Sequence, residues 1–153
     1  MSMIRTALAA SLLLAGVTGP VGALAGDTLV EVFKSPSCGC CGMWAEHLEA
    51  NGYEVRVRDV DDLEIIKQLA GVPDDLQSCH TAMVGGYTIE GHVPASALDR
   101  LLEERPATQG LAVPGMPAGS PGMPSDQPER YEVFSFDEGG MAPYATFVGT
   151  EEQ

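Results

Sequence analysis

Basic residues are scarce in this chain. Eight Lys and Arg stand against 22 Asp and Glu, leaving a formal net charge of −14. A surface of that sign repels polyanions, which excludes nucleic acid and anionic membrane as partners. Long apolar runs are lacking too. The main one, Ala7 to Val17, falls short of the roughly 20 residues needed to cross a bilayer. No cysteine adjoins Ala23-Leu24-Ala25, which argues against a lipid-anchored form. Cysteine itself is sparse: there are four in all, three of them between positions 38 and 41. A structural disulfide framework would spread its cysteines to close large loops. This clustering points to chemistry instead.

What is present begins with the first residues. Arg5, the apolar run, the helix-breaking Gly19-Pro20 and the small residues around Ala25 follow the order of a secretory signal peptide. Cleavage after Ala25 is expected, making residues 1–25 a leader and residues 26–153 a single domain with enough chain for one core. Once the leader is gone, nothing remains for stable membrane insertion. The many acids read mostly as a solvated surface that can also raise the local cation concentration.

The hydrophobic pattern predicts a strand over Thr28–Phe33 and a helix over Cys40–Ala50, with Cys41, Trp44, Ala45 and Leu48 as its apolar stripe. Tyr53 to Val60 alternates like a half-buried strand near a sheet edge. Asp61 is placed to cap a second helix running to Ala70, and residues 72–78 read as a polar turn. Gly85-Gly86 predicts a tight hairpin between Thr81–Val84 and Tyr87–His92. Pro94 then opens a third helix carrying Leu98, Leu101 and Leu102. The order strand, helix, strand, helix, hairpin, helix gives an α/β class with a thioredoxin-like βαβ-α-ββα core. Residues 106–130, rich in Pro and Gly and repeating Pro-Gly-Met, are expected to lack regular structure. An appended C-terminal β-hairpin is expected over Tyr131–Phe136 and Ala142–Val148.

Cys38-Gly39-Cys40-Cys41 is the strongest chemical signal. It falls at a helix N-terminus, where unpaired N–H groups and partial positive charge stabilise a thiolate. Cys38 and Cys41 have the C-x-x-C spacing of a redox dithiol. Cys40 adds a third sulfur that dithiol exchange does not need, and clustered thiolates suit soft ions such as copper(I), zinc or silver. If the third strand runs antiparallel to the first, Cys79 and His80 come to face the motif. His92, at the end of the fourth strand, lies on the same rim but about 10 Å off at ordinary strand spacing, and so is a weaker candidate. Met116 and Met123 offer thioether, a soft ligand that is not ionised. Each has an alternative: Cys79 as a small buried hydrophobe, His80 as a structural histidine, His92 as the cap of the third helix, and the methionines as parts of a linker.

The motifs Ser35-Pro-Ser-Cys-Gly-Cys-Cys-Gly-Met-Trp44, Ser78-Cys-His-Thr81, Glu90-Gly-His-Val-Pro94 and Gly110-Leu-Ala-Val-Pro-Gly-Met-Pro-Ala-Gly-Ser-Pro-Gly-Met123 together resemble the CopG-like family of exported copper-resistance proteins. The resemblance covers nearly all of the chain after Val30. It implies a thioredoxin-like fold, a periplasmic location, and a copper(I) site built from Cys38, Cys40, Cys41, Cys79 and His80. It also implies a part in copper homeostasis, with copper oxidoreductase activity left open.

Two main readings follow. In one the protein binds copper(I) for resistance, with copper ions and other periplasmic copper-handling or redox proteins as partners. In the other it is a thiol–disulfide oxidoreductase whose catalytic pair is Cys38 and Cys41. Ser78–Thr81 carries no proline where such enzymes place one, which favours copper. The two are compatible, because copper oxidation and dithiol oxidation would use the same sulfurs. A structural zinc knot is a third reading.

Overall fold

The computed structural model describes residues 29–153; the expected leader lies outside them. Strand β1 (Leu29–Lys34) leads into helix α1 (Gly39–Ala50), strand β2 (Glu54–Asp59) and helix α2 (Leu63–Leu69). Strands β3 (His80–Val84) and β4 (Tyr87–Gly91) follow, then helix α3 (Ala95–Glu104) and strand β5 (Gly110–Val113). Strands β6 (Arg130–Asp137), β7 (Gly140–Val148) and β8 (Glu151–Glu152) complete the chain. The eight strands of the described residues form one sheet in the order β2-β1-β3-β4-β5-β6-β7-β8.

The strand pairings fix where the cysteines lie. β1 runs parallel to β2 and antiparallel to β3, and β4 returns antiparallel to β3. Lys34, the last residue of β1, pairs with His80, the first of β3. The loop leaving β1 and the segment entering β3 therefore share one rim of the sheet. Gly85 and Gly86 make the β3–β4 turn with φ of 56° and 91°, a left-handed pair that glycine adopts without steric cost.

Alternation along the strands separates two cores. Ala82, Val84, Leu111 and Val113 join Trp44 and Leu48 of α1 and Leu98 and Leu101 of α3 in the larger one. Met83 and Ala112 face the other way, toward Ala70, Val72, Leu76 and Phe136. The α1 stripe is buried at Cys41, Trp44, Ala45 and Leu48. β2 forms one edge of the sheet, and Val57 on it is 43% exposed.

Two local expectations need correction. The cap of α2 is Asp62, not Asp61: its carboxylate accepts from the Glu64 and Ile65 N–H groups. Residues 106–130 are not free of regular structure, because Gly110–Val113 forms β5 between β4 and β6. Its four residues are all buried, and Gly110 is needed because a Cβ there would collide with the Thr88 backbone. The tight approach and the run Leu-Ala-Val outweigh the Pro/Gly composition that follows. The segment after Pro114 is held by its own hydrogen bonds, among them Glu129 N–H to Ala118 O at 2.8 Å and Met123 N–H to Ser120 O at 2.8 Å. Among the described residues, no helix is long and apolar enough to cross a membrane.

Candidate metal centre

Cys38 is the N-cap of α1 and makes no side-chain cap bond. Its sulfur is instead bonded to Cys41, closing a disulfide across the first helical turn. Cys40 and Cys79 are free and half-buried. Cys40 Sγ lies 3.5 Å from Cys38 Sγ and 3.8 Å from Cys79 Sγ. Cys41 Sγ lies 3.5 Å from the Cys79 carbonyl. All four sulfurs are within 4.8 Å of one another. The antiparallel β1–β3 pairing thus brings Cys79 to the motif across a gap of 38 residues or more in sequence.

A second group shares Cys79. Its Sγ is 3.0 Å from His92 Nε2 and 3.4 Å from His80 Nδ1. His92 is therefore much closer than strand spacing alone suggested, because its side chain reaches back across the rim. It is not the cap of α3. That N-terminus is met by His47, whose Nε2 accepts from the Ala95 N–H at 3.2 Å. His92 Nδ1 lies 2.7 Å from the Pro121 carbonyl, a contact that requires a proton on Nδ1. Nε2 is then a lone-pair acceptor aimed at Cys79. Ligating histidines are commonly oriented this way, with the remote N–H tied to a carbonyl.

His80 is fully buried against Trp44, ring centroids 4.4 Å apart, and among the described residues its Nε2 has no hydrogen-bond partner. Trp44 in turn donates Nε1–H to Val93 O at 2.9 Å, locking the ring that backs the site. Burial, then the neighbouring His92 and Lys67, hold the His80 pKa well below that of ordinary imidazole. Burial also lowers the His92 pKa. Burial first, and Cys40 second, push the Cys79 thiol up to about 12. The site without metal is therefore two neutral imidazoles around a protonated thiol. Neutral imidazole is the ligand form, and a metal would take the place of the Cys79 proton.

The Pro/Gly/Met segment folds over this site. Pro121 supplies the carbonyl for His92, and a Cβ on Gly122 would lie 2.6 Å from Cys40 O and 2.9 Å from Trp44 N. Ser78 Oγ–H donates to Gly115 O at 2.6 Å. Met116, 53% exposed, lines a shallow depression together with Gln77, Ser78, Gly115 and Cys79. Met123 follows Gly122 and is half-buried. Sequence reasoning missed Pro121 and Gly122; the Pro-Gly-Met repeat held the signal, but it drew attention to the thioethers instead.

Two solved structures of a copper resistance protein, CopG in its forms 1 and 2, share this fold. Form 2 is 40% identical, with a TM-score of 0.75, covering 78% of this chain and 98% of the other. Form 1 is 41% identical, with a TM-score of 0.74, covering 79% and 98%. The chain belongs to the CopG copper-resistance family. Residues 76–123 also match a family described as a protein of unknown function, DUF411. That span holds Cys79, His80, His92 and the Pro/Gly/Met segment. Among curated proteins no match is found. The chain thus combines membership in the CopG family with a cluster of four cysteines that could hold a metal ion.

Proposed function

We propose that the chain is an exported, periplasmic copper(I)-binding protein of thioredoxin-like fold. In this reading Cys38, Cys40, Cys41, Cys79 and His80 hold the metal, with His92, Met116 and Met123 in support. Copper is the protein's cargo. The strand order β2-β1-β3-β4 with α1 leaving β1 supports the fold assignment. One observation carries the metal assignment: Cys79 Sγ stands between Cys40 Sγ at 3.8 Å and His92 Nε2 at 3.0 Å. Four sulfurs and two neutral imidazoles form a soft donor set, which favours copper(I) over harder ions.

The Cys38–Cys41 bond links metal capacity to redox state. A disulfide sulfur is not a thiolate, so those two ligands become available only on reduction. Opening the bond takes two electrons and yields two thiolates, which protonate or bind metal. Two copper(I) ions giving up one electron each would balance that step and leave two copper(II). The protein would then act as a copper oxidoreductase as well as a binder, exchanging copper or electrons with other periplasmic proteins. A second reading, thiol–disulfide oxidoreductase, is favoured by the bonded state of Cys38 and Cys41 at the start of α1.

Competition between copper(I) and zinc(II) on the anaerobically reduced protein tests the metal assignment. Copper(I) is expected to displace zinc(II). Zinc retained against a copper(I) donor would overturn it.

A further inference from the structure

Lys67 and Glu90 form a buried ion pair that the copper reading does not use. They are 4% and 0% exposed, and neither belongs to the two clusters around Cys79. Burying two charges is costly, and replacing such a pair by apolar residues is often neutral or stabilising. Its presence beside the site therefore calls for another role.

The contacts of Glu90 supply one. The β3–β4 ladder ends at the pair Thr81–Glu90. Ser78 and Cys79 lie beyond its end, where no β4 backbone partner holds them. Glu90 takes over with its side chain. Oε1 accepts from the Ser78 N–H at 2.6 Å and from Lys67 Nζ. Oε2 accepts from Thr81 Oγ–H at 2.7 Å. Lys67 Nζ also reaches Thr81 Oγ at 3.2 Å. One carboxylate thus grips both residues flanking Cys79-His80, and α2 braces it through Lys67. Hydrogen bonds to an ionised carboxylate are shorter and stronger than neutral ones, which suits it to the task.

We infer that Glu90, braced by Lys67, is a positioning residue: it clamps Ser78 and Thr81 and so sets where Cys79 Sγ and His80 Nδ1 stand. The inference rests on the copper reading for its consequence, but not for its geometry. Loss of the clamp frees the Cys79 segment beyond the ladder and spoils its alignment with Cys40 and His92. The three-cysteine turn of α1 is left as it was.

Two double variants separate the clamp from the charge, because neither leaves an unpaired buried ion. Lys67→Met/Glu90→Leu removes the grip, whereas Lys67→Met/Glu90→Gln keeps an amide oxygen for Ser78 N–H and a polar partner for Thr81. Copper(I) affinity is measured by chelator competition on reduced protein. The alkylation rate of Cys79 is measured on metal-free protein by mass spectrometry, and folding is checked by thermal melting. The Leu variant is expected to bind copper(I) about tenfold or more weakly, the size seen when outer partners of metal ligands are lost, and to alkylate faster at Cys79. The Gln variant is expected to stay near wild type in both. A folded Leu variant with wild-type values overturns the inference, and so does a Gln variant that falls as far. If the Leu variant does not fold, Glu90→Asp serves. It keeps the charge but draws the carboxylate back from Ser78, and wild-type values there overturn the inference too. If wild type fails to bind copper(I), the copper reading falls, while the alkylation rates still decide for or against the clamp.

Discussion

Gly122→Ala tests how the Pro/Gly/Met segment serves the site. Gly122 has φ of +84°, and a Cβ there would lie 2.6 Å from Cys40 O and 2.9 Å from Trp44 N. Both are backbone atoms of α1 and cannot rotate away. The left-handed conformation costs a non-glycine residue roughly 1–2 kcal/mol. Forcing a methyl into packed surroundings adds typically about 1–3 kcal/mol. The strain sums to about 2–5 kcal/mol, which the protein relieves by lifting the segment off α1. Lifting withdraws the Pro121 carbonyl that orients His92. Loss of such a partner typically weakens metal binding about 10–100-fold. Gly52→Ala is the control, since Gly52 has φ of +92° but nothing within 4 Å of its Cβ position. It lies at the far end of α1 and carries the conformational cost alone. Copper(I) competition and thermal melting on the two variants read the difference. Gly122→Ala should lose both affinity and stability, and Gly52→Ala stability alone. Wild-type affinity in a Gly122→Ala variant would refute the role given to the segment.

Acid should destabilise the metal-free protein. His80 and His92 have folded pKa values below the ordinary one, so the unfolded chain binds more protons. Stability present above about pH 6.5 is therefore lost as pH falls below it; chemical denaturation at pH 7.5 and 5.5 checks this, and equal midpoints would contradict it. Copper(I) capacity should rise when the Cys38–Cys41 bond is reduced, because two more sulfurs become ligands; titration with and without prior reduction measures it, and equal stoichiometry would remove both cysteines from the site.

The site was more legible than the loop that covers it. Strand direction alone brought Cys79 and His80 to the cysteine motif, because β3 antiparallel to β1 puts its first residue opposite Lys34. His92 Nε2 stands nearer Cys79 than strand spacing implied, because that spacing measures backbones, whereas an imidazole extends well beyond its own Cα. The Gly110–Val113 strand was hidden by composition: four buried residues before a proline carry too little periodicity to announce a strand. Asp62 won the cap from Asp61 by one position, which is within the usual uncertainty of a helix boundary read from sequence. The Lys67–Glu90 pair could not be read at all. The two residues are 23 apart in sequence and meet only because α2 packs against β3, from where Lys67 reaches past Thr81 to Glu90 of β4.

Serine replacement of Cys79 and of Cys40, each made alone, tests the central claim most directly. A dithiol oxidoreductase needs only an attacking and a resolving thiol, and Cys38 and Cys41 supply both. A copper centre organised around Cys79 loses its shared sulfur in one variant and its neighbour at 3.8 Å in the other. The measurement is copper(I) stoichiometry and affinity of each folded variant, set beside its reduction of a model disulfide. We expect copper binding to fall sharply in both while disulfide reduction persists. Unchanged copper binding in both folded variants would contradict the account and leave the thiol–disulfide reading in its place.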